Sequence, residues 1–282
     1  MPPLFRGAPC GCCINVSLDL GAEEEKEMRN PTRTAAINTA IIKNVFCICI
    51  LICDFLLTDS NIFILMKSCI IVTSVVEISN SPLDWSAVRS IYTHKQRFEQ
   101  TLETIESIRK HLPDTHIILA ECSPESDYMM ELKKRVDIFI NTYPNDLIQN
   151  GFRKSVCEAK LLLNVFNSVD LSQYQHIFKM TGRYKLLDSF DKNVWMDYIP
   201  ICCMTDWYSS AAKPPPHIHT FFYKITNQEL PLIKKTFEDM VNTDTSDAIE
   251  HILYHTLKHR IKHIDKIGIE VRLSCYEGIR QA

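Results

Sequence analysis

Glycine is scarce in this sequence, which contains only seven glycines among 282 residues. Neither a G-x-G-x-x-G nor a G-x-x-x-x-G-K-[ST] pattern is present. These are the loops whose main-chain N–H groups wrap the phosphates of dinucleotides and nucleoside triphosphates. The sequence therefore argues against a dehydrogenase and a P-loop NTPase. The missing glycine-rich first turn also argues against a Rossmann-type methyltransferase.

Charge of one sign and long apolar runs are also in short supply. The formal net charge is −3, and no Lys/Arg run with interleaved aromatic residues is present, so nothing predicts nucleic-acid binding. One apolar stretch, Val45–Cys53, reaches the length of a spanning helix only if Lys43 and Asp54 are tolerated within residues 41–57. Residues 1–65 are therefore interpreted either as a membrane anchor or as an unstructured extension ahead of a start at Met66. We expect them to be dispensable for ligand binding.

The cysteines do not form a disulfide framework. Six of the twelve precede Met66, and the others are scattered. Cys69, Cys122 and Cys157 lie inside apolar runs, where reduced cysteine behaves as a small hydrophobic residue. This pattern predicts a reducing compartment for the main part of the chain.

From Met66 onward the chain alternates strand and helix patterns. The first strand is a β-branched run without alternation, which is typical of a strand buried on both faces. The order of elements predicts one α/β domain over residues 66–282, Rossmann-like, with a mostly parallel central sheet flanked by helices. The predicted strands are Ser68–Val76, His116–Ala120, Val136–Asn141, His176–Met180 and Thr220–Ile225, and the predicted helices are Phe98–Arg109, Asp127–Arg135, Lys154–Phe166 and Ser246–His263.

Polar side chains follow several of the predicted strands. Ligands of open parallel sheets bind beyond the carboxyl ends of the strands, so these side chains are the candidate ligand-binding residues. They are Ser74, Arg89 and Arg97 after the first strand, Glu121 after the second, and Lys179, Gly182, Arg183 and Tyr184 around the end of the fourth. The arginines suit bidentate contact with a diphosphate, and a carboxylate suits a ribose hydroxyl or a uracil N–H. The structural alternatives are solvated arginines on a helix face, and an ion pair that ties the Arg183 loop down.

Two segments carry a resemblance to a known family. The acid-x-Ser-x-x-x-Asp pattern from Glu121 to Asp127, after a strand and an arginine-containing helix, resembles the opening half of GT-A glycosyltransferases. Phe178–Leu186 resembles the Gly-Arg-Tyr motif of little-characterised glycosyltransferases of large DNA viruses. The resemblance implies transfer of a sugar from a nucleoside-diphosphate-sugar, with UDP as the expected nucleotide, to a hydroxyl of a glycan or glycoprotein. Together with the cysteine pattern, the expected location is the cytoplasm or the host-cell cytoplasm, with anchoring through residues 41–57 as the alternative.

The sequence departs from this family at one place. GT-A enzymes usually carry Asp-x-Asp at the end of the fourth strand, whereas Lys179–Arg183 contains no carboxylate ligand for a hard divalent metal. The cationic Lys179, Arg183 or Lys185 could instead neutralise a leaving diphosphate. We therefore predict no metal ligands and no certain cofactor beyond the nucleoside-diphosphate-sugar donor, with a divalent metal as the alternative despite the missing Asp-x-Asp. The alternative is a non-catalytic carbohydrate- or protein-binding module.

Three acidic residues are candidates for the catalytic base. The resemblance implies a carboxylate at the start of a late helix, and Asp247 and Glu250 share one face of the predicted last helix. Asp206, beside an aromatic-rich segment that suits sugar binding, is the alternative.

Two histidine patterns invite a metal interpretation. They are His217-x-His219 and the stripe of every fourth residue from His251 to His263. A solvated or interface stripe is the preferred interpretation of the latter.

Overall fold

A computed structural model describes residues 68–197, 199–203, 218–264, 266–273 and 279–281. Within these ranges ten strands and seven α-helices follow one another. The strands are β1 Ser68–Thr73, β2 His116–Glu121, β3 Ile138–Asn141, β4 His176–Thr181, β5 Lys185–Leu186, β6 Ile201–Cys203, β7 Phe222–Thr226, β8 Lys262–Ile264, β9 Ile269–Arg272 and β10 Ile279–Gln281. The helices are α1 His94–His111, α2 Asp127–Arg135, α3 Asp146–Asn150, α4 Lys154–Ser168, α5 Lys192–Trp195, α6 Leu230–Thr243 and α7 Ile249–Leu257.

The main sheet has seven strands in the order β3-β2-β1-β4-β7-β6-β8. β1 pairs in parallel with β2 and β4, and β2 pairs in parallel with β3. Among the described strands of this sheet, β7 alone runs antiparallel, to β4 and β6, and β6 pairs in parallel with β8. The predicted α/β class with a mostly parallel sheet is confirmed, and β1 lies in the interior of that sheet.

Helices cover both faces of this sheet. Cys69 and Ile71 of β1 belong to the apolar cluster that includes residues of α4, α6 and α7. Ile70 and Val72 belong to the cluster on the other face, which includes residues of α1 and α2. All four side chains are almost fully buried, which explains why β1 shows no alternation of polar and apolar residues.

The end of the chain differs from the prediction in two respects. The last long helix was predicted to begin at Ser246 and reach His263, but α7 begins at Ile249 and ends at Leu257. A turn follows, and His263 lies on β8, which pairs with β6. His259 and His263 therefore do not extend the helical stripe of His251 and His255, and that prediction was wrong. Strands β5, β9 and β10 form a second, three-stranded antiparallel sheet.

Several predictions concern residues outside the described ranges. They include the boundary near residue 65, the apolar stretch 41–57, and the candidate residues Asp206 and His217. No helix in the described part of the chain is long and apolar enough to cross a membrane. Cys69, Cys122 and Cys157 are buried free thiols, as expected from their apolar surroundings.

Candidate functional site

The sheet has a topological switch point between β1 and β4. From β1 the chain steps to β2 and β3 on one side, and then returns to add β4 on the other side. Ligands of open α/β sheets bind in the crevice outside the carboxyl ends of the strands at such a point. Because β7 is antiparallel, the residues that precede Phe222 lie at this same edge. Thr181 N donates to Phe221 O (3.0 Å), which joins the two segments there.

The segment after β4 is held by its main chain. Three hydroxyl side chains at helical spacing on α1 hold it: Thr101, Thr104 and Ser107. Thr101 Oγ1 donates to Gly182 O at 2.9 Å, and Thr104 Oγ1 donates to Tyr184 O at 2.6 Å. Ser107 Oγ accepts a hydrogen bond from the main-chain N–H of Leu186 at 3.1 Å. A buried face of α1 that would ordinarily be apolar is therefore polar, and it fixes residues 182–186 against the helix.

Gly182 closes the gap between the ends of β1 and β4. Its N–H donates to Thr73 O at 2.9 Å. A Cβ atom at this position would lie 3.2 Å from Ser74 Cβ and 3.3 Å from Thr101 Oγ1. Ser74 Oγ and Thr101 Oγ1 are themselves hydrogen bonded at 3.1 Å. The close approach of protein atoms thus accounts for this glycine, and its predicted approach to a diphosphate stays a prediction.

Arg183 is a buried cation at the switch point. Its side chain is 8% exposed, and it has no acidic partner among the described residues. Its Nε has no hydrogen-bond acceptor there, and the guanidinium carbon lies 5.8 Å from the centroid of the Tyr184 ring. The predicted alternative, an ion pair that ties this loop down, is therefore not seen in the described part. An arginine stays charged at all physiological pH values, so an anion bound at this position would supply the counter-charge that no described carboxylate provides as an ion pair.

The Tyr184 ring brings several charged groups together. Burial raises the pKa of Tyr184, the nearby Arg183 cation opposes that rise, and the carboxylates of Glu158 and Glu250 add to it. All three charged side chains therefore act electrostatically on the Tyr184 phenol, and Arg183 lies closest to it by the contact described above. The ring also packs edge-on against Phe221, with centroids 5.5 Å apart. The aromatic wall continues to His219, which stacks on Phe221 at 4.7 Å.

Lys179 lies beneath this cluster and is only 2% exposed. Its Nζ donates to Thr181 Oγ1 at 3.0 Å and to Thr220 O at 2.6 Å, and it forms an ion pair with Glu158 of α4. Glu158 and Thr220 did not emerge from the sequence. The available signal was the pattern of α4, in which Glu158 interrupts the run of buried apolar residues.

Glu250 is the carboxylate that the structure brings to this site. It lies in the first turn of α7, is half-buried, and accepts a hydrogen bond from Thr220 Oγ1 at 2.9 Å. Its carbonyl accepts from Ile218 N at 3.3 Å, which ties α7 to the segment before β7. Asp247 is exposed and precedes the helix, so the two acids do not share a helical turn as predicted.

Glu121 is fully buried at the end of β2. Its Oε1 accepts from Val76 N (3.0 Å), Cys122 N (2.9 Å) and Ser123 Oγ (2.7 Å). Burial raises its pKa, and these hydrogen bonds oppose the rise. In this position Glu121 fixes the loop that follows β1, and a contact with a nucleoside stays a prediction.

The two predicted arginines support the same loop. Arg89 Nε donates to Ser81 O at 2.9 Å, and its Nη2 donates to Gly151 O. Arg97 Nε donates to Val75 O at 2.7 Å. Both side chains are more than nine-tenths buried. Both arginines therefore shape this loop, and their predicted contact with a diphosphate stays a prediction.

A cavity of about 290 Å³ lies within this loop and beside the first residues of α1. Its lining includes Tyr92, Asn80 and Arg89. Thr93 caps α1 through a capping box with Gln96. Within the described residues, no group of three or more His, Cys, Asp and Glu side chains is arranged to hold a metal ion.

Comparison with known proteins gives similar structures only. No protein-family model and no curated protein matches the chain. Similar solved structures include the glycosyltransferase GlyE of Streptococcus pneumoniae TIGR4, at 9% identity and a TM-score of 0.42 over 71% of this chain and 46% of that chain. A glycosyltransferase involved in glycosylation of the major capsid of PBCV-1 has 8% identity and a TM-score of 0.40, covering 70% and 82%. The galactosyltransferase LgtC has 10% identity and a TM-score of 0.44, covering 69% and 72%.

The chain spans less than half the length of GlyE. With identities no higher than 10% and TM-scores no higher than 0.44, these three likenesses leave the chemistry to be inferred from the residues of this chain.

Proposed function

We propose that this protein is a glycosyltransferase that moves a sugar from a nucleoside-diphosphate-sugar, most simply a UDP-sugar, to a hydroxyl group of a glycan. The observation that carries the proposal is Arg183, a buried cation at the switch point with no acidic partner in the described part of the chain. Burying a charge is costly unless a counter-charge accompanies it. A bound diphosphate would supply that counter-charge, and a carboxylate, Glu250, is hydrogen bonded to Thr220, the neighbour of the Phe221 ring that packs against Tyr184.

The nucleoside would occupy the cavity in the loop after β1, where Tyr92 offers a ring for stacking and Asn80 offers hydrogen-bonding groups. Two successive turns of α1 connect this loop to the Arg183 segment, because Arg97 binds Val75 O and Thr101 binds Gly182 O. Successive turns are about 5.4 Å apart along a helix axis. This spacing suits a nucleoside and its diphosphate side by side.

The chemical step follows from the charges. The acceptor oxygen attacks the anomeric carbon as the bond from that carbon to the diphosphate oxygen breaks. The bonding electrons leave with the diphosphate, whose growing negative charge Arg183 stabilises. Glu250 takes the acceptor proton as the new glycosidic bond forms.

A screen of nucleoside diphosphates and their sugars against the full chain tests the proposal. A ligand at 100 times its Kd adds about 2.7 kcal/mol to the free energy of unfolding, which a thermal shift detects. Release of UDP from UDP-sugars then measures transfer to methyl glycosides or to water. If no nucleoside diphosphate stabilises the protein, the proposal is wrong. Stabilisation without any turnover would favour a non-catalytic binding module.

Replacing Glu250 by glutamine should reduce turnover by about 100-fold or more and leave UDP affinity within about twofold, because general-base catalysis supplies about 10²–10⁴-fold. Glu238→Gln, the same change on an exposed position of α6, is the matched control. Asp247→Asn and Asp206→Asn test the competing carboxylates. Wild-type turnover in Glu250→Gln, together with loss in either of these variants, would move the base to that residue.

A further inference from the structure

We infer that Lys179 and Thr220 are positioning residues that hold Glu250 in the orientation required to take the acceptor proton. The inference rests on the proposed function, since it assumes that Glu250 is the base. Neither residue needs to touch a substrate. They act because one threonine is hydrogen bonded to both the buried lysine and the carboxylate.

The ammonium group of Lys179 is fully engaged within the protein. It carries three N–H donors, and three oxygens surround it, from Thr181, Thr220 and Glu158. These neighbours come from the end of β4, from the segment before β7, and from α4. Lys179 therefore fixes the relative position of three elements at the carboxyl edge of the sheet, through two hydrogen bonds and one ion pair.

Thr220 links Lys179 to Glu250 through two hydrogen bonds. Its carbonyl accepts from Lys179 Nζ at 2.6 Å, and its hydroxyl donates to Glu250 Oε1 at 2.9 Å. A hydroxyl has a single proton to donate, so this bond selects one carboxylate oxygen and leaves the other available for a second partner. Thr220 is only 5% exposed, so little room remains for its side chain to rotate.

A stability role does not explain the arrangement well. Removing two charges from water is expensive, and a buried ion pair such as Lys179–Glu158 is often no more stabilising than apolar residues of the same volume. In contrast, a misplacement of about 1 Å at a reacting group can cost about 100-fold in rate. Precise placement of Glu250 is therefore the benefit that best accounts for this ion pair.

The chain provides a matched control for Thr220. At the opposite end of β7, Thr226 Oγ1 donates to Glu229 Oε2 at 2.5 Å, and both residues are buried. Thr226→Val removes the same kind of threonine–glutamate hydrogen bond as Thr220→Val but lies away from the site. Thr220→Ser keeps the hydroxyl and serves as the conservative variant.

The experiment measures kcat and KM for UDP release from the UDP-sugar that stabilises the protein most, together with UDP affinity and the unfolding midpoint, in the full chain. We expect Thr220→Val to lower kcat by about 10- to 100-fold while KM and UDP affinity stay within about twofold. Thr220→Ser should restore kcat to within a few-fold of the wild type, and Thr226→Val should leave it unchanged. A double variant, Lys179→Met with Glu158→Leu, should fold and show the same loss of kcat.

Glu250→Gln, measured in parallel, separates the two proposals. If Glu250→Gln abolishes turnover while Thr220→Val or the folded double variant keeps wild-type kcat, the positioning role is wrong and the proposed function stands. If Glu250→Gln retains full turnover, the base assignment fails, and the positioning role fails with it. A loss of UDP affinity equal to the loss of kcat in Thr220→Val would indicate a general distortion of the site and would also overturn the inference.

Discussion

Replacing Arg183 by alanine should weaken donor binding and leave the free protein at least as stable as the wild type. The guanidinium is charged at every accessible pH, is 8% exposed, and has no carboxylate partner in the described ranges. Its desolvation is therefore poorly compensated until an anion binds. The substitution also removes the contact of Arg183 with the Tyr184 side chain, whose cation–ring part is worth about 0.5–2 kcal/mol.

The effect on binding follows from the hydrogen bonds that a diphosphate would receive. A hydrogen bond to a charged group contributes about 1.5–3 kcal/mol, which corresponds to about 10- to 150-fold in affinity. Arg183→Lys should recover part of this loss, because an ammonium keeps the charge but lacks the planar fork of donors. The loss should be present with UDP alone, since the contact is to the diphosphate and not to the sugar.

Calorimetric titration with UDP and urea unfolding of the same samples measure both quantities. Arg135→Ala provides the control, because this substitution removes the same charge away from the site. Arg135 lies on the surface, where it forms an ion pair with Glu131 at 2.8 Å. Unchanged UDP affinity combined with a lower free energy of unfolding would refute the reasoning. That result would mean that Arg183 ties the loop to its surroundings and does not serve a ligand.

Two further predictions concern stability. Burial, with help from the nearby Lys224 cation, lowers the pKa of His176 from 6.5 to about 4, so the unfolded chain takes up a proton at a higher pH than the folded chain. Stability should therefore fall by about 2 kcal/mol between pH 7 and pH 5, and urea midpoints of His176→Phe should lose that part of the pH dependence. An equally steep dependence in the variant would rule His176 out. Gly182→Ala should cost about 1–3 kcal/mol, because the new Cβ meets Ser74 Cβ at 3.2 Å; an unchanged midpoint would contradict this packing.

The part of the fold that could be predicted is the part in which local pattern and tertiary environment agree. The first four strands of the sheet and helices α2 and α4 begin and end within about two residues of their predicted limits, apart from the carboxyl end of β1. Their apolar runs are long, and turn or capping residues bound them. The parallel pairing of these strands could also be anticipated, because strand–helix–strand units favour parallel neighbours.

The last helix shows why the remainder could not be predicted. Ser246 and Asp247 are good helix-starting residues, but Ala248 is extended, and α7 begins only where Glu250 joins the segment before β7. At the other end, pairing of β8 with β6 overrides the helical spacing of the histidines. Such long-range contacts cannot be recognised from a short stretch of sequence, because they depend on residues distant in the chain.

The sequence predicted where the candidate site lies better than it predicted what each of its side chains contacts. Lys179, Gly182, Arg183 and Tyr184 do lie together at the carboxyl edge of the sheet. The environment of each side chain could not be anticipated, because burial decides it. Glu121 and Arg97 look alike in the sequence, as polar residues near a strand end, yet both turn inward and hold main-chain atoms. Thr220 was invisible because its importance comes from two partners distant in the chain, Lys179 and Glu250.

The hydroxyl groups of α1 bind carbonyl and amide groups of residues 182–186, and not their side chains. Every residue has the same main-chain groups, so these hydrogen bonds do not depend on which side chains stand at positions 183 and 185. Mutational drift at those two positions can therefore alter what the site accepts without releasing the segment that carries them. A laboratory library randomised at Arg183 and Lys185, with α1 left intact, is accordingly a direct route to variants with changed ligand preference, and the same freedom was open to natural selection.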